Sequence, residues 1–172
     1  RYIHTLYQAM NLAFADRDLY VGDPDFVSAP GGQWASLLEP AYLAERARSI
    51  GIQPMGVAKP GTPGGVTTGY APMPDQPEYG TSHISVVDAN GNALAMTTTI
   101  ESAFGSRQMV KGFLLNNELT DFSFAPADAG GKPIANRVQG GKRPRSSMSP
   151  TLVFDKASGQ LVASAGSPGG AF

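Results

Sequence analysis

Between Gly51 and Gly80 the chain carries Pro54, Pro60, Pro63, Pro72, Pro74 and Pro77, together with Gly61, Gly64, Gly65 and Gly69. Proline lacks the amide hydrogen that a helix interior or an inner strand needs, and glycine loses the most conformational entropy when ordered, so no regular element can run through this stretch. It reads as a flexible linker, with too little to bury to order itself and open to nicking. The chain is thereby divided into residues 1–50, read as helical, the linker 51–80, and residues 81–172, read as antiparallel and β-rich. The expected class is α/β in the α+β sense, with helix and sheet segregated along the chain.

Before the linker, Ile3, Leu6, Tyr7, Met10, Ala13 and Phe14 recur at spacings of three and four, which predicts a helix over residues 2–16 with one apolar stripe. The following ADRDLYVGDPDF gathers Asp16, Arg17, Asp18, Asp23 and Asp25 around Gly22 and Pro24, and reads as a turn rich in carboxylates. Clustered oxygens suit a calcium ion. The alternative is an Asp/Arg network fixing the turn against the helix, and the missing EF-hand spacing favours it. Pro40 opens a short helix over residues 40–50, at a position where its missing N–H costs nothing.

After the linker, His83 to Asp88 and Ala93 to Ile100 alternate as strands around Ala89-Asn90-Gly91-Asn92, and an Asn-Gly step favours the positive φ angles of a hairpin turn. In the second strand Thr97 and Thr99 share one face and Thr98 takes the other. A loop over 101–107, a short apolar run over 109–116 and the polar cluster Asn116-Asn117-Glu118 through Asp121 come next. Residues 123–145 form a long irregular stretch with Pro126, Gly130, Gly131, Pro133, Gly140, Gly141 and Pro144, of the kind that is functional or disordered. Thr151 to Phe154 and Leu161 to Ser164 predict a second hairpin around DKASGQ.

Composition removes most catalytic chemistries. With no cysteine and only His4 and His83, disulfides, thiolate catalysis and cysteine-ligated metals are excluded, and a His-based metal site or Ser-His-Asp triad has little to draw on. Thirteen basic against fourteen acidic residues, a net charge of -1, make no electrostatic case for nucleic acid or an anionic membrane. No apolar run reaches the roughly 18 residues a membrane span requires. The chain opens inside a helical pattern without an initiator Met and stops at Phe172 after a Gly-Gly turn, so both ends are read as cut from a longer protein.

What remains available is a hydroxyl nucleophile. A threonine needs a base, and the α-amino group of the same residue can serve once that residue is a chain terminus, its pKa of about 7.7 to 8.0 lying close to ambient pH. Thr81, behind Gly80 at the border of linker and strand, is placed to become such a terminus by self-cleavage, or else simply begins the strand.

The stretch YGTSHISVVDANGNALAMTTTIESAFGS, with KRPRSSMSPT and SPGG later and AMNLAFADRDLYVGDPDFV before, resembles the γ-glutamyltranspeptidases, members of the N-terminal-nucleophile hydrolases. The likeness covers nearly the whole chain, in order. It implies a four-layer αββα fold only partly contained here, the end of a large subunit in residues 1–50, and a small subunit that begins at Thr81. It implies autoproteolysis of a zymogen between Gly80 and Thr81, a heterodimer of the two subunits, and a γ-glutamyl-Thr81 intermediate. The donor would be glutathione or a related γ-glutamyl compound, and the acceptor water, an amino acid or a peptide. No metal or organic cofactor is implied, and a periplasmic or secreted location is the family's common one.

Carried onto this sequence, Thr99 matches a threonine that hydrogen-bonds the nucleophile. Glu118 and Asp121 match residues holding the donor's α-amino group, and Ser146 and Ser147 the pair at its α-carboxylate. Gly169 and Gly170 match the glycines of the oxyanion hole. Without the family, Glu118 and Asp121 would read as an exposed turn and SPGG as another.

The sequence departs from the family's pattern in places. Glu101 stands where many members have an Asn at the donor's charged groups, Ser82 replaces a second Thr, and residues 122–145 hold no Tyr or Trp for a flap. An arginine earlier in the large subunit, which pairs with the donor carboxylate, is not within this chain. Glu101 and the aromatic-poor lid point to an alternative, an acylase of the same superfamily acting on glutaryl-cephalosporin amides. A further alternative is a non-catalytic precursor fragment or binding module.

Overall fold

The computed structural model describes residues 1–77 and 80–167. It is a mixed α/β structure with small antiparallel sheets, arranged as two compact units. One comprises residues 1–76 and 122–145, the other 77–121 with the chain from Ser146 onward.

The first unit is built on helix α1, Tyr2–Tyr20, which runs four residues past the expected end and takes Asp16, Arg17 and Asp18 out of the turn. Gly22, Asp23 and Pro24 stop it. The helix buries Gln8, Leu12, Asp16, Leu19 and Tyr20. The expected apolar stripe points the other way: Ile3 is 79% exposed and Tyr7 60%.

The reason lies in the Pro/Gly-rich run, which packs on the polar side of α1 instead of standing free. Having no ladder of its own, its backbone must find partners elsewhere. Gln8 accepts from Gly51 N at 3.2 Å and donates to Gly51 O at 2.9 Å. Asp16 accepts from Gly61 N at 2.7 Å, and the Tyr20 hydroxyl donates to Gly61 O at 2.6 Å. Met73 N donates to Asp18 O at 3.0 Å.

Helix α2, Pro40–Ala47, begins at the expected proline and closes the same network. Its Tyr42 hydroxyl donates to Asp16 Oδ2 at 2.7 Å, and Arg46 pairs with Asp16 Oδ1 at 3.1 Å. Burial first, then the hydrogen bond to Asp16, pushes the Tyr42 hydroxyl's pKa well up. At Gly31 and Gly64 two tight turns with φ of 61° and 66° touch, so that a Cβ on Gly64 would lie 2.8 Å from Gly31 Cα.

Residues 123–145, expected as a functional or disordered stretch, supply the rest of this core. Ile134 packs on Ala71 and Met73, with Ala125 against them, and Ala71 N donates to Pro133 O at 2.8 Å. Asn136 is buried and its side chain accepts from Arg145 N at 3.0 Å.

The carboxylate-rich turn is an Asp/Arg network. Arg143 donates to both oxygens of Asp23, at 2.7 and 3.0 Å, and to Asp25 at 2.7 Å, while Arg145 pairs with Asp18 at 2.8 Å. Each carboxylate of the calcium reading is thus engaged by an arginine, and among the described residues no group is placed to hold a metal ion.

The second unit is made of hairpins. Strands β1, Ser82–Val87, and β2, Ala93–Thr98, pair antiparallel from Ser82↔Thr98 to Val87↔Ala93. Gly91 takes φ 85° in the turn, where Asp88 accepts from Asn90 N at 2.8 Å and Asn92 N at 2.9 Å. Strands β3, Met109–Val110, and β4, Phe113–Leu114, form a minimal hairpin in the expected apolar run. Strands β5, Thr151–Phe154, and β6, Leu161–Ala165, make the expected second hairpin. It meets the first through Ser164 Oγ, which donates to Ser85 Oγ at 3.0 Å. No helix among the described residues is long and apolar enough to cross a membrane.

Candidate active site

The β1–β2 register places the site. Side chains alternate along a strand, and His83 and Thr97, directly opposite, share a face, with His83 Nδ1 and Thr97 Oγ1 2.8 Å apart. The ladder ends at the pair Ser82↔Thr98, and Thr81 and Thr99 are the residues directly beyond it on the two strands. The open end of the hairpin is a cleft of about 290 Å³ walled by residues 80–82 and 98–103. Gly80, Thr81, Thr99 and Glu101 are all in its lining.

Within the cleft the Thr99 hydroxyl donates to the carbonyl oxygen of Gly80 at 3.4 Å and accepts from Glu101 N at 2.8 Å. Glu101 is 6% exposed and adopts φ 70°, a left-handed conformation that is costly for a residue with a side chain. Asn117 holds this turn. Its Oδ1 accepts from Ser102 N at 3.0 Å, its backbone N donates to Ile100 O at 3.3 Å, and its Nδ2 donates to Glu101 Oε2 in a short contact.

Asn117 opens onto a single 3₁₀ turn, Glu118–Asp121, which carries the two residues expected at a donor's amino group. Glu118 Oε1 is buried and has no hydrogen-bond partner among the described residues. A buried unpaired carboxylate oxygen is costly, and a hydrogen-bond donor would satisfy it. Neither Glu118 nor Asp121 lines the cleft itself. Ser146 and Ser147 belong to the same unit and likewise lie outside the lining, Ser146 Oγ accepting from Met148 N at 3.3 Å. Gly169 and Gly170 lie outside the described residues.

A family model for gamma-glutamyltranspeptidase matches residues 1–172. The chain belongs to the gamma-glutamyltranspeptidase family. It is 41% identical to a glutathione hydrolase proenzyme of Pseudomonas aeruginosa over 99% of its own length and 29% of that relative's. To a glutathione hydrolase proenzyme of Bacillus subtilis it is 42% identical, over 96% of this chain and 28% of the relative. An acylase, the ACY 1 proenzyme of Pseudomonas sp. strain SE83, is 30% identical over 97% of this chain and 26% of its own length. A solved gamma-glutamyltranspeptidase from Pseudomonas nitroreducens, complexed with L-DON, is 45% identical over 46% of this chain and 43% of that one, with a TM-score of 0.38. The chain thus spans under a third of the length of these proenzymes.

Asn117, which bonds Ile100, Glu101 and Ser102 beside the cleft, was not singled out by the sequence pattern as a candidate. Its signal was faint: an Asn-Asn pair closing an apolar run, where either residue could merely cap the next turn, as Asn116 does by accepting from Glu118 N at 3.0 Å.

Proposed function

We propose that the protein to which this chain belongs is a self-cleaving γ-glutamyl transferase and glutathione hydrolase with Thr81 as its nucleophile. The observation that carries this reading is the hydroxyl of Thr99 bonded to the carbonyl of Gly80, beside the Thr81 side chain that would attack it. In the first step Thr81 Oγ bonds to the Gly80 carbonyl carbon and the Gly80–Thr81 C–N bond breaks. The hydroxyl proton ends on the departing Thr81 nitrogen. Water then hydrolyses the ester, leaving a Gly80 carboxylate and a Thr81 that carries both a free amine and its hydroxyl.

That amine is the general base of the second reaction, since an ordinary α-amino group titrates at about 7.7 to 8.0, close to ambient pH. Thr81 Oγ attacks the γ-carbonyl of the donor and the donor's amine leaves with the proton. Water, an amino acid or a peptide amine then releases the γ-glutamyl group. Glu118 and Asp121 hold the donor's ammonium, the unpaired Glu118 oxygen supporting this role. Ser146 and Ser147 take the carboxylate, and the amides of Gly169 and Gly170 the oxyanion. The residues before and after the cut form a large and a small subunit of a heterodimer with the four-layer αββα fold, in the periplasm or outside the cell.

The test is incubation of the full-length protein with analysis of the fragments. A cut between Gly80 and Thr81, followed by release of p-nitroaniline from γ-glutamyl-p-nitroanilide, is expected. An intact chain, indistinguishable from Thr81→Ala, overturns the reading.

The second reading is an acylase acting on glutaryl amides, with the likeness to the ACY 1 proenzyme and the buried Glu101 in its favour. Faster turnover of a glutaryl amide than of the γ-glutamyl anilide would select it.

A further inference from the structure

We infer that Asn117 is a positioning residue for self-cleavage: by locking the Glu101 turn it aims the Thr99 hydroxyl at the carbonyl of Gly80. The inference rests on the proposed cut at Gly80–Thr81 and concerns what sets its rate.

A hydroxyl has one proton and can swing it among acceptors. At Thr99 that freedom is removed by Glu101 N, which donates to Oγ1 at 2.8 Å and leaves the proton to point elsewhere, here at Gly80 O, 3.4 Å away. The turn that presents this N–H to Thr99 continues into Glu101 with a φ of 70°, a conformation that is costly in a residue bearing a Cβ. Asn117 supplies the restraint on both sides of it and on its side chain. The bonds run to Ile100 O, to Ser102 N and to Glu101 Oε2.

Asn117 is itself fixed from its own turn, its Nδ2 donating to Thr120 Oγ1 at 3.0 Å and its carbonyl accepting from that hydroxyl at 2.9 Å. The relay therefore reads Thr120, Asn117, the Glu101 turn, Thr99, Gly80 carbonyl, and all its members lie within one compact unit. As charge develops on the Gly80 oxygen during attack by Thr81 Oγ, a donor already aimed needs no reorganisation. A wandering hydroxyl does.

The amide at position 117 offers a donor to the carboxylate and an acceptor to Ser102 N at once, from two atoms of one group. Replacing it by Asp would keep the acceptor and turn the donor into a carboxylate facing a carboxylate. Exchanging the two groups, with Asn117→Asp combined with Glu101→Gln, would restore a donor–acceptor pair with its polarity reversed.

The experiment follows cleavage of freshly made full-length precursor on gels, with circular dichroism of each precursor as the check on folding. Asn117→Ala and Asn117→Asp are expected to slow the appearance of the Thr81-terminated fragment at least tenfold. The double exchange is expected to recover most of the rate lost in Asn117→Asp, which a merely structural loss would not do. Wild-type kinetics in Asn117→Ala, or no recovery in the double exchange, overturns the inference while the self-cleavage reading stands. A wild-type protein that stays intact overturns both.

Discussion

The hydroxyl of Thr99 donates to the carbonyl oxygen of Gly80, nineteen residues earlier in the chain, across 3.4 Å. A donor at a developing oxyanion typically contributes about 2.7 to 4 kcal/mol to the transition state. Thr99→Val is therefore expected to slow cleavage of the Gly80–Thr81 bond by roughly 10² to 10³-fold. Thr99→Ser keeps the hydroxyl and is expected to stay within about tenfold of wild type. Time courses of fragment appearance distinguish the two, and equal rates for Val and Ser would remove Thr99 from the step.

Tyr42 and Asp16 join the two helices of the first unit, and the hydroxyl of Tyr42 is held above its ordinary pKa, by burial first and then by its bond to Asp16. A group with a raised folded pKa contributes stability that is complete below its unfolded value, about 10, and is lost as pH rises through the folded one. Ultraviolet titration of the full-length protein should lose one late-titrating tyrosine in Tyr42→Phe. The substitution also removes a hydrogen bond to a charged acceptor, worth about 1.5 to 3 kcal/mol, and should lower the thermal midpoint at pH 7.

Asp23 shows the opposite sign. Its carboxylate is 1% exposed, and the hydrogen bonds from Arg143 hold its pKa far below the usual carboxylate range. The stability it confers is present above the unfolded pKa, about 3.9, and is lost as pH falls toward the folded value. Amide protection of Phe26 and Val27, whose N–H groups donate to Asp23 O at 2.9 Å, reports on this turn. Protection factors should fall on acidification below about pH 4, and Arg143→Ala should lower them already at pH 7.

Gly64 and Gly65 both have positive φ, 66° and 69°, but only Gly64 abuts backbone, at Gly31 Cα. Gly65→Ala carries the left-handed strain alone, about 1 to 2 kcal/mol. Gly64→Ala adds an overlap that a backbone atom cannot relieve cheaply, about 1 to 3 kcal/mol more. Thermal midpoints of the two variants should rank accordingly.

The elements set by near neighbours in sequence were legible. Asn90-Gly91 marked the first hairpin, Pro40 the start of α2, and DKASGQ the second hairpin, because turn conformation depends on a few adjacent residues. Strand alternation was expected to put Thr97 and Thr99 on one face, but the strand ends at Thr98 and Thr99 is placed instead by its bonds to Gly80 O and Glu101 N.

The helical face of α1 was not legible. Periodicity reports that apolar residues recur, but Gln8, Asp16 and Tyr20 were drawn inward by the unpaired backbone of Gly51 and Gly61, more than forty positions along the chain. Composition was equally blind to the order of the Pro/Gly-rich run. It measures how little a segment can bury and says nothing of partners waiting elsewhere.

Local chemistry in the chain placed a threonine at the head of a hairpin, with no cysteine and little histidine beside it, and left open whether it is a nucleophile or only begins the strand. Tertiary structure alone brought Thr99 onto the Gly80 carbonyl and turned Glu101 and Asn117 into the clamp behind it. Hydrogen bonds are directional and span about 3 Å, so whether two polar residues cooperate depends on distances that sequence separation does not encode.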